Sequence, residues 1–269
     1  MPGTVNGTEA WRAHVGFEPL ATYADAHDAQ AVLWLDIDNT LYSQVDTRIP
    51  ELMADRIRDY FRGLGLDDHD AEQLHTHYYK EYGLAIRGLV KHHTIDPMDY
   101  DEKCDGSLPL ERVLHPDPAL RALLERIDRR RVRVYALTNA YKTHARRVLS
   151  LLQLDTVVQG IVYCDYNIDE LYATRSPSSC KPEPAFYTAA QAAVHAAPDA
   201  HVYFVDDSMQ NIVAARALGW QSCGTCHADP AVYFDELHPT DAPRTLDNGV
   251  VSVSSLQQLP RVWPGVFAP

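Results

Sequence analysis

Two aspartates separated by one residue follow an apolar segment near the start of the chain. Asp36 and Asp38 come directly after residues 31–35, AVLWL. Side chains two positions apart on an extended chain point to the same side, so both carboxylates can reach one substrate. One could attack a phosphorus atom as a nucleophile, while the other could protonate the leaving oxygen and then activate water. The alternative is that these aspartates only cap the helix that follows.

A second acidic pair ends another apolar segment. Asp206 and Asp207 follow residues 202–205. Adjacent carboxylates repel each other and are costly to bury unless a cation lies between them. Together with Asp36 and the backbone carbonyl of Asp38, they predict the oxygen ligands of a Mg²⁺ ion. The competing interpretation is that Asp207 or Ser208 caps the helix that begins near residue 210.

Two further segments could hold a phosphate group. Thr138 and Asn139 come at the end of an apolar run, where a hydroxyl group and backbone N–H groups before a helix can bind an anion. Lys181 precedes a helix that prolines open, and its ammonium could offset charge on phosphoryl oxygens. Each signal alone is weak, since Thr-Asn is often a cap and a single lysine is often solvated. Their order after successive strands makes the combination specific.

The apolar segments that precede these residues alternate with helical patterns. Strands are predicted at residues 31–35, 132–137, 160–164, 202–205, 221–224 and 250–253, and helices at 141–152, 183–195 and 210–218. This alternation predicts an α/β fold, a Rossmann-like parallel sheet with helices on both faces. Ligands of such sheets bind beyond the carboxyl ends of the strands. The polar residues described above should therefore meet at one edge of the sheet.

An all-helical insert interrupts the alternation after the first strand. Amphipathic helices are predicted at 49–65 and at 70–89, with bends at Gly83 and Gly88, and no strand is expected between 43 and 131. The predicted domains are thus a core of residues 31–46 and 115–269 and a helical cap of residues 47–114. Residues 1–30 show weak periodicity and are expected to be an arm or a peripheral helix.

Aromatic and basic residues are concentrated in the insert, where they could contact the leaving group of a substrate. They are Tyr78, Tyr79, Tyr82, Arg87, His92 and His93. Arg87 is the leading candidate because it lies in an apolar run between two glycines, and Tyr42, directly after the first acidic pair, is the second. Tyr82 and His92 complete the predicted substrate-binding set. The alternative for each tyrosine is packing in the core of the insert itself.

Composition excludes several classes of partner. The chain has 269 residues, with 24 Lys and Arg against 37 Asp and Glu, which gives a formal net charge of −13. Nucleic acid polymers and anionic membranes select basic surfaces, so neither is an expected partner. No apolar stretch approaches the ~18 residues of a membrane helix, and no secretory signal is evident. We expect a cytoplasmic protein, with the nucleus left open, that is a monomer or a homodimer.

Metal sites made by cysteine or histidine are not expected. Cys223 and Cys226 have CxxC spacing, but no second pair accompanies them, so they are interpreted as ordinary thiols. His75 and His77 are two residues apart in a predicted helix and would face different sides. Mg²⁺ is therefore the only cofactor that the sequence predicts.

The order DxDxT, Thr-Asn, Lys-Pro and Asp-Asp, with a helical insert after the first motif, resembles the haloacid dehalogenase superfamily. The resemblance covers nearly all of residues 31–225. It implies that Asp36 is the nucleophile and Asp38 the acid and base, and that the remaining positions bind phosphate (Thr138, Lys181) and magnesium (Asp206, Asp207). The second aspartate of the first motif favours a phosphatase over a dehalogenase. Asn39 stands where many members have glycine, and asparagine tolerates the left-handed conformation.

Less generic segments are similar to the fungal pyrimidine 5′-nucleotidases. They are DIDNTLY at 36–42, YYKEYGLAIRGL at 78–89, LTNAYK at 137–142 and YCDY at 163–166. This similarity implies hydrolysis of UMP, CMP or related nucleoside monophosphates. The same group includes a lysophosphatidic acid phosphatase, so this substrate and sugar phosphates remain alternatives. A non-catalytic interaction protein is disfavoured, because the six costly polar residues of the motifs are all present.

Overall fold

The computed structural model describes residues 15–20, 30–167, 178–220 and 231–268 of the chain. A single sheet organises these residues. Its strands are β1 (Gly16–Pro19), β2 (Ala31–Leu35), β3 (Val132–Thr138), β4 (Gly160–Tyr163), β5 (His201–Asp206), β6 (Ala231–Phe234), β7 (Arg244–Thr245) and β8 (Val251–Val253). Their order across the sheet is β1-β4-β3-β2-β5-β6-β8-β7. The six inner strands run parallel, and both edge strands are antiparallel to their neighbours.

The centre of the sheet brings the predicted site residues together. Strand β2 pairs in parallel with β3 on one side and β5 on the other, and all five of its residues are buried. Asp36 follows the end of β2, Thr138 ends β3, and Asp206 ends β5. Because parallel strands end at the same edge, these side chains converge there, as the α/β pattern predicted.

The outer strands differ in part from the sequence expectations. Residues 16–19, expected in an arm or a peripheral helix, form β1 against β4. Strand β6 at Ala231–Phe234 was not predicted, and the strand predicted at 221–224 lies outside the described residues. The weak sequence signal of β1 has a simple cause, since a four-residue edge strand with alternating burial carries little periodicity.

The described residues between β2 and β3 contain helices and turns but no strand. The α-helices of the described residues are α1 (Gln44–Thr47), α2 (Ile49–Gly63), α3 (Asp68–Tyr82), α4 (Ala85–His92), α5 (Pro97–Lys103), α6 (Leu110–Val113), α7 (Pro118–Glu125), α8 (Lys142–Leu151), α9 (Pro184–Ala193), α10 (Met209–Ala217) and α11 (Leu259–Val262). In the described part, no helix is long and apolar enough to span a bilayer.

Local sequence signals fix where the insert helices begin. The side chains of Ser43, Asp67 and Asp96 accept hydrogen bonds from backbone N–H groups in the first turns of α1, α3 and α5. Such N-caps satisfy donors that have no partner within the helix. Helices α2 and α5 also carry proline at the start, where a missing N–H group is harmless.

Two glycines in the insert have different roles. Gly83 ends α3 with φ of 77°, a left-handed conformation that suits glycine, so the predicted bend there is confirmed. Gly88 was also expected to mark a bend, but it lies inside α4. A Cβ atom built on Gly88 would lie 2.2 Å from Cγ of Tyr78. Gly88 therefore allows α4 to approach α3 closely.

Polar contacts attach the second half of the insert to the core. The buried carboxylate of Asp101, in α5, accepts hydrogen bonds from the hydroxyl groups of Thr143 and Tyr166, both at 2.8 Å. Arg147, in core helix α8, pairs with Glu111 of α6 at 2.5 Å. The far end of the insert is therefore held by side chains of the core, close to the start of α8.

The close approach at Gly88 leads to a stability prediction. In Gly88→Ala, the new methyl group overlaps the Tyr78 ring, and we expect unfolding free energy to fall by about 1–3 kcal/mol despite the better helix propensity of alanine. Urea unfolding followed by circular dichroism measures this change. Gly63→Ala is the matched control, since a Cβ atom there meets nothing within 4 Å. Equal midpoints for the two variants would contradict the packing described.

Candidate active site

A cavity of about 370 Å³ opens at the carboxyl ends of β2, β3 and β5. Its walls combine polar residues from the core with mostly apolar residues from the insert. The polar part includes Asp36, Asp38, Asn139, Thr138, Lys181 and Asp207. The insert contributes Ile49, Met53, Ile57, Tyr79, Leu84 and Ile86. The cavity is thus a place where a charged group and a less polar group of one molecule could bind side by side.

Asp36 is buried and held at both carboxylate oxygens. Its Oδ1 accepts a hydrogen bond from Nζ of Lys181 at 2.6 Å, and its Oδ2 accepts one from the hydroxyl of Thr40 at 2.9 Å. Its own backbone N–H donates to the carbonyl of Val205, in the neighbouring strand. These contacts fix the direction of the carboxylate at the base of the cavity.

Lys181 is clamped by groups from three segments of the chain. Its ammonium donates to Asp36, to Asp206 Oδ2 at 2.7 Å, and to the carbonyl of Leu137 at 2.7 Å. The side chain of Asn139 bonds the backbone of Lys181 twice, accepting from its N–H at 2.8 Å and donating to its carbonyl at 3.0 Å. The three ammonium protons therefore all have acceptors.

Asp206 is fully buried and bound on both oxygens. Besides Lys181, it accepts hydrogen bonds from the backbone N–H of Ser208 at 2.8 Å and from Nδ2 of Asn211 at 2.9 Å. Asp207 instead lines the cavity. The predicted pair thus divides into a buried anchor and a residue that faces the open space.

The acidic side of the cavity is short of positive charge. Oxygens of Asp36, Asp206 and Asp207 lie within 4.8 Å of one another, and one ammonium, that of Lys181, lies among them. Burial and the charge of Asp206 raise the pKa of Asp36 well above its usual range. Burial and Asp206 also raise the pKa of Asp207 to about 7. Among the residues that the structure describes, two of the three negative charges are therefore uncompensated when all the carboxylates are ionised.

This arrangement fits a divalent cation. Three carboxylates whose oxygens can converge on one point are the hard ligands that Mg²⁺ prefers. A charge of +2 would also cancel the excess negative charge, which adds to the effect of burial in raising the pKa of Asp36 and of Asp207. The acidic cluster predicted from sequence is therefore present in one place.

Asp38 lies in different surroundings, although it is only two residues from Asp36. Its Oδ1 accepts hydrogen bonds from the hydroxyl of Tyr42 and from Nε2 of His144, both at 2.8 Å. Burial alone would raise the pKa of Asp38, but His144 outweighs it and lowers that pKa. Burial likewise disfavours a charged His144, yet Asp38, together with Asp105 and Asp101, raises its pKa to about 9. Asp38 and His144 therefore form an ion pair in which the imidazole is buried and the carboxylate is partly exposed to the cavity.

The predicted phosphate-binding residues take two distinct roles. Thr138 and Lys181 line the cavity and are buried. The hydroxyl oxygen of Thr138 accepts from the backbone N–H of Ala140 at 3.0 Å, which leaves its proton available for another acceptor. Asn139 also lines the cavity, but its side chain bonds the backbone of Lys181. Asn139 thus positions the lysine rather than offering its amide to a ligand.

Among the predicted substrate-binding residues, Tyr42 lines the cavity and the other three do not. Arg87 pairs with Glu183, and it also donates to the carbonyl of Tyr82 and, at 3.1 Å, to Sγ of Cys180. The hydroxyl of Tyr82 lies 2.7 Å from Nε2 of His92. These contacts do not support direct substrate binding by Arg87, because its guanidinium is used to hold the insert against the loop before α9.

Several residues at the cavity were not singled out from the sequence. His144, in α8, was missed because a lone histidine in a helix has no motif to mark it. Its partner Asp105 was missed for the same reason. Tyr79 was grouped with the other insert tyrosines, yet it lines the cavity with 63% of its surface exposed, whereas neighbouring Tyr78 is buried in the insert core. Cys223 and Cys226 lie outside the described residues.

The left-handed geometry expected for Asn39 is present. Its φ is 61°, in the region that glycine and asparagine adopt most readily. This turn lets the chain reverse directly after Asp38, so that Thr40 can reach back to Asp36. Asn39 therefore adopts the left-handed conformation that glycine would adopt at this position, and the loop keeps its turn.

Comparison with known proteins agrees with this geometry. Residues 31–219 match the haloacid dehalogenase-like hydrolase family. Phosphate metabolism protein 8 of Saccharomyces cerevisiae is 36% identical over 203 residues, which cover 72% of this chain and 61% of the yeast protein. The aligned region thus spans less than two thirds of that relative.

Solved structures show the same fold at low sequence identity. A HAD phosphatase from Thermococcus onnurineus has a TM-score of 0.53 and 18% identity, with 89% of this chain and all of that chain covered. YfnB of Bacillus subtilis, determined with magnesium bound, has a TM-score of 0.51 and 12% identity over 88% of this chain and 99% of that one. The resemblance that the motifs carry and the α/β fold predicted from the alternation of strands and helices are confirmed, and the chain belongs to the haloacid dehalogenase-like hydrolase family.

Proposed function

We propose that the protein is a phosphomonoesterase that forms a phosphoaspartate on Asp36. The observation that carries this proposal is that Asp36, Asp38, Thr138, Lys181 and Asp207 all line one cavity at the carboxyl edge of the sheet. A nucleophile, an acid and base, and groups for an anion are the parts that hydrolysis of a phosphate monoester needs. The membership of a hydrolase family supports the same conclusion.

The reaction has two displacements at phosphorus. In the first, a carboxylate oxygen of Asp36 attacks the phosphorus atom, and the bond to the leaving oxygen breaks while Asp38 gives that oxygen a proton. In the second, Asp38 takes a proton from water, and the water oxygen displaces Asp36 to release inorganic phosphate. Each proton that Asp38 loses is thereby regained, so the enzyme returns to its starting state.

Lys181 and Thr138 stabilise the transferring phosphoryl group. The ammonium already lies at 2.6 Å from the nucleophilic carboxylate, so it is close to the oxygens that surround the phosphorus during attack. The hydroxyl of Thr138 donates to no acceptor in the described part of the chain, so its proton can bind one of those oxygens. Both groups are buried, and water competes weakly with them for the anion.

Mg²⁺ would be held by Asp36, Asp207 and the fully buried Asp206, with the backbone carbonyl of Asp38 as a further oxygen. Bound there, Mg²⁺ supplies positive charge that offsets the negative charge of the phosphate. Without such charge, a phosphate dianion would meet a site with two uncompensated carboxylates, and repulsion would oppose binding.

We propose a pyrimidine nucleoside 5′-monophosphate as the substrate. The insert places Tyr79 on the cavity wall with most of its ring exposed, where a base could stack on it. The segments that are similar to the fungal pyrimidine 5′-nucleotidases support this substrate class. His75 and Tyr100 add polar groups to the same cavity.

A lysophosphatidate is a second candidate, because part of the wall is apolar. Ile49, Met53, Ile57, Leu84 and Ile86 line the cavity on the insert side. An acyl chain would be stabilised by such a surface, whereas a sugar phosphate would gain little from it. Phosphate release from UMP, CMP, purine nucleotides, sugar phosphates and lysophosphatidate, compared by kcat/KM, decides among these substrates.

The nucleophile is tested by Asp36→Asn. We expect phosphate release to fall by a factor on the order of 10³ or more, because the amide cannot form the acyl phosphate. Malachite green detection of phosphate measures the loss, and mass spectrometry of rapidly quenched wild type should show one added phosphoryl group. Asp46→Asn, at an exposed position of helix α1, is the matched control and should keep full activity. Undiminished turnover by Asp36→Asn would refute the assignment.

The metal site is tested by Asp207→Asn through stability at different pH values. Because the pKa of Asp207 is raised to about 7 in the folded protein, ionisation costs folding stability as pH rises from the unfolded pKa towards 8. In EDTA at pH 8, we therefore expect the variant to be more stable than wild type, by an amount on the order of 1 kcal/mol, and the difference to shrink at pH 5.

Addition of Mg²⁺ completes this test. Wild type should gain more stability from the ion than Asp207→Asn does, since a ligand is missing in the variant. Thermal unfolding at several Mg²⁺ concentrations gives both values without any measurement of activity. If both proteins gained equally, Asp207 would not be a ligand of the ion.

The nucleoside contact is tested at Tyr79. Tyr79→Ala should raise KM for UMP about tenfold, the usual range for loss of one base–aromatic stack, with little change for p-nitrophenyl phosphate. Tyr79→Phe keeps the ring and should behave as wild type. If Tyr79→Ala and Tyr79→Phe changed KM equally, for UMP and for p-nitrophenyl phosphate alike, the ring would not select the nucleoside.

A further inference from the structure

His144 is a buried residue between an aspartate of the core and an aspartate of the insert. Its side chain is 2% exposed. Nε2 lies 2.8 Å from Oδ1 of Asp38, and Nδ1 lies 3.5 Å from Oδ1 of Asp105, whose side chain is 13% exposed. Nδ1 has no hydrogen-bond partner at normal distance among the described residues. The imidazole is thus placed by two carboxylates from different parts of the chain.

The direction of the hydrogen bond to Asp38 follows from the chemistry of the two groups. A carboxylate can only accept hydrogen bonds, so Nε2 of His144 is the donor. The hydroxyl of Tyr42 donates to the same oxygen, also at 2.8 Å. Oδ1 of Asp38 therefore accepts hydrogen bonds from two donors that come from different segments of the chain.

This arrangement leaves the second oxygen of Asp38 for the reaction. Among the described residues no hydrogen bond reaches Oδ2, and the Asp38 side chain keeps 30% of its surface exposed while it lines the cavity. Because Oδ1 is anchored twice, the carboxylate cannot rotate without breaking charge-assisted hydrogen bonds. Oδ2 is consequently the oxygen that can give a proton to the leaving group and take one from water.

We propose that His144 is a positioning residue that, with Tyr42, orients the carboxylate of Asp38 for proton transfer, and that Asp105 of the insert holds the imidazole in place. This inference rests on the proposed phosphomonoesterase function of Asp36 and Asp38. A general acid must lie within hydrogen-bond reach of the leaving oxygen, and small errors of orientation reduce its effect strongly. His144 does not touch the substrate and acts only through Asp38.

The test compares a substrate whose leaving group must be protonated by a general acid with one whose leaving group needs no proton. Nucleotide hydrolysis expels an alkoxide, which must be protonated, whereas p-nitrophenolate leaves unprotonated. In His144→Leu, which lacks the donor, we expect kcat for UMP to fall about 100-fold, in the range of a lost acid–base contribution. With p-nitrophenyl phosphate, formation of the phosphoaspartate should stay fast, but its hydrolysis, which needs Asp38 as base, should become slow.

Stopped-flow kinetics detects this difference directly. His144→Leu should release about one equivalent of p-nitrophenolate per site in a rapid burst before a slow steady state. With UMP, quenched samples should show no burst of nucleoside. His144→Gln keeps an N–H donor three bonds beyond Cβ, as in histidine, and should recover most of the activity. The side chain in His144→Asn is one bond too short to reach Asp38, so this variant should resemble His144→Leu. It replaces His144→Leu in the test if the leucine protein does not fold.

A double-mutant cycle separates this role from a structural one. In the Asp38→Asn background, loss of the His144 donor should cause no further decrease, because the group on which it acts is gone. An undiminished additional loss, or equal losses for both substrates without a burst, would overturn the proposal. Wild-type protein that hydrolyses no phosphate monoester would refute the proposed function itself, so the two failures are distinguishable.

Discussion

The buried ammonium of Lys181 determines how the rest of the site is arranged. It bonds Asp36 at 2.6 Å and Asp206 at 2.7 Å, and it thereby joins the ends of β2 and β5 to the loop before α9. A buried lysine is tolerated only because all three of its donors are satisfied. Burial disfavours the charged ammonium, yet Asp206 and Asp36 outweigh this effect and raise its pKa. The lysine is therefore a permanent cation. One cation among three carboxylates leaves a net negative charge on the described residues of the site, which a divalent metal ion would neutralise so that a phosphate dianion could bind.

Among the described residues, two of the polar attachments between the insert and the core lead back to this site. On one side, Arg87 pairs with Glu183, only two residues after Lys181. On the other side, Asp101 accepts hydrogen bonds from Tyr166 and from Thr143, which lies directly before His144 in α8. Side chains of the insert therefore support the residues that hold Lys181 and Asp38, besides forming the apolar wall of the cavity. Charge-assisted contacts of this kind are directional, so the insert can fix these residues more strictly than apolar packing alone.

The residues that lie at strand ends could be placed in the site from the sequence. Side-chain contacts between residues far apart in the sequence could not be predicted. Asp36, Thr138 and Asp206 could be placed because parallel strands end at a common edge. The lysine that joins them could be predicted only from its motif. The side-chain direction of Arg87 could not be predicted, because Glu183 is 96 residues away in the sequence. His144 gave no signal, since its role comes from Asp38, 106 residues before it, and from Asp105. Strand β1 was missed because it is short and lies at an edge.

Two aspartates separated by one residue can take opposite parts in a reaction because their neighbours differ. In the protein alone, burial and Asp206 raise the pKa of Asp36, while His144 lowers the pKa of Asp38. The proposed reaction needs the reverse, an ionised Asp36 that attacks and a protonated Asp38 that donates. Ligands can produce this reversal: positive charge beside Asp36 and Asp207 favours the ionised nucleophile, and a phosphate dianion close to Asp38 raises the pKa of that carboxyl group. The reactive protonation state would then arise only when the site is filled, which would make the free enzyme a poor acid and a poor nucleophile towards other molecules.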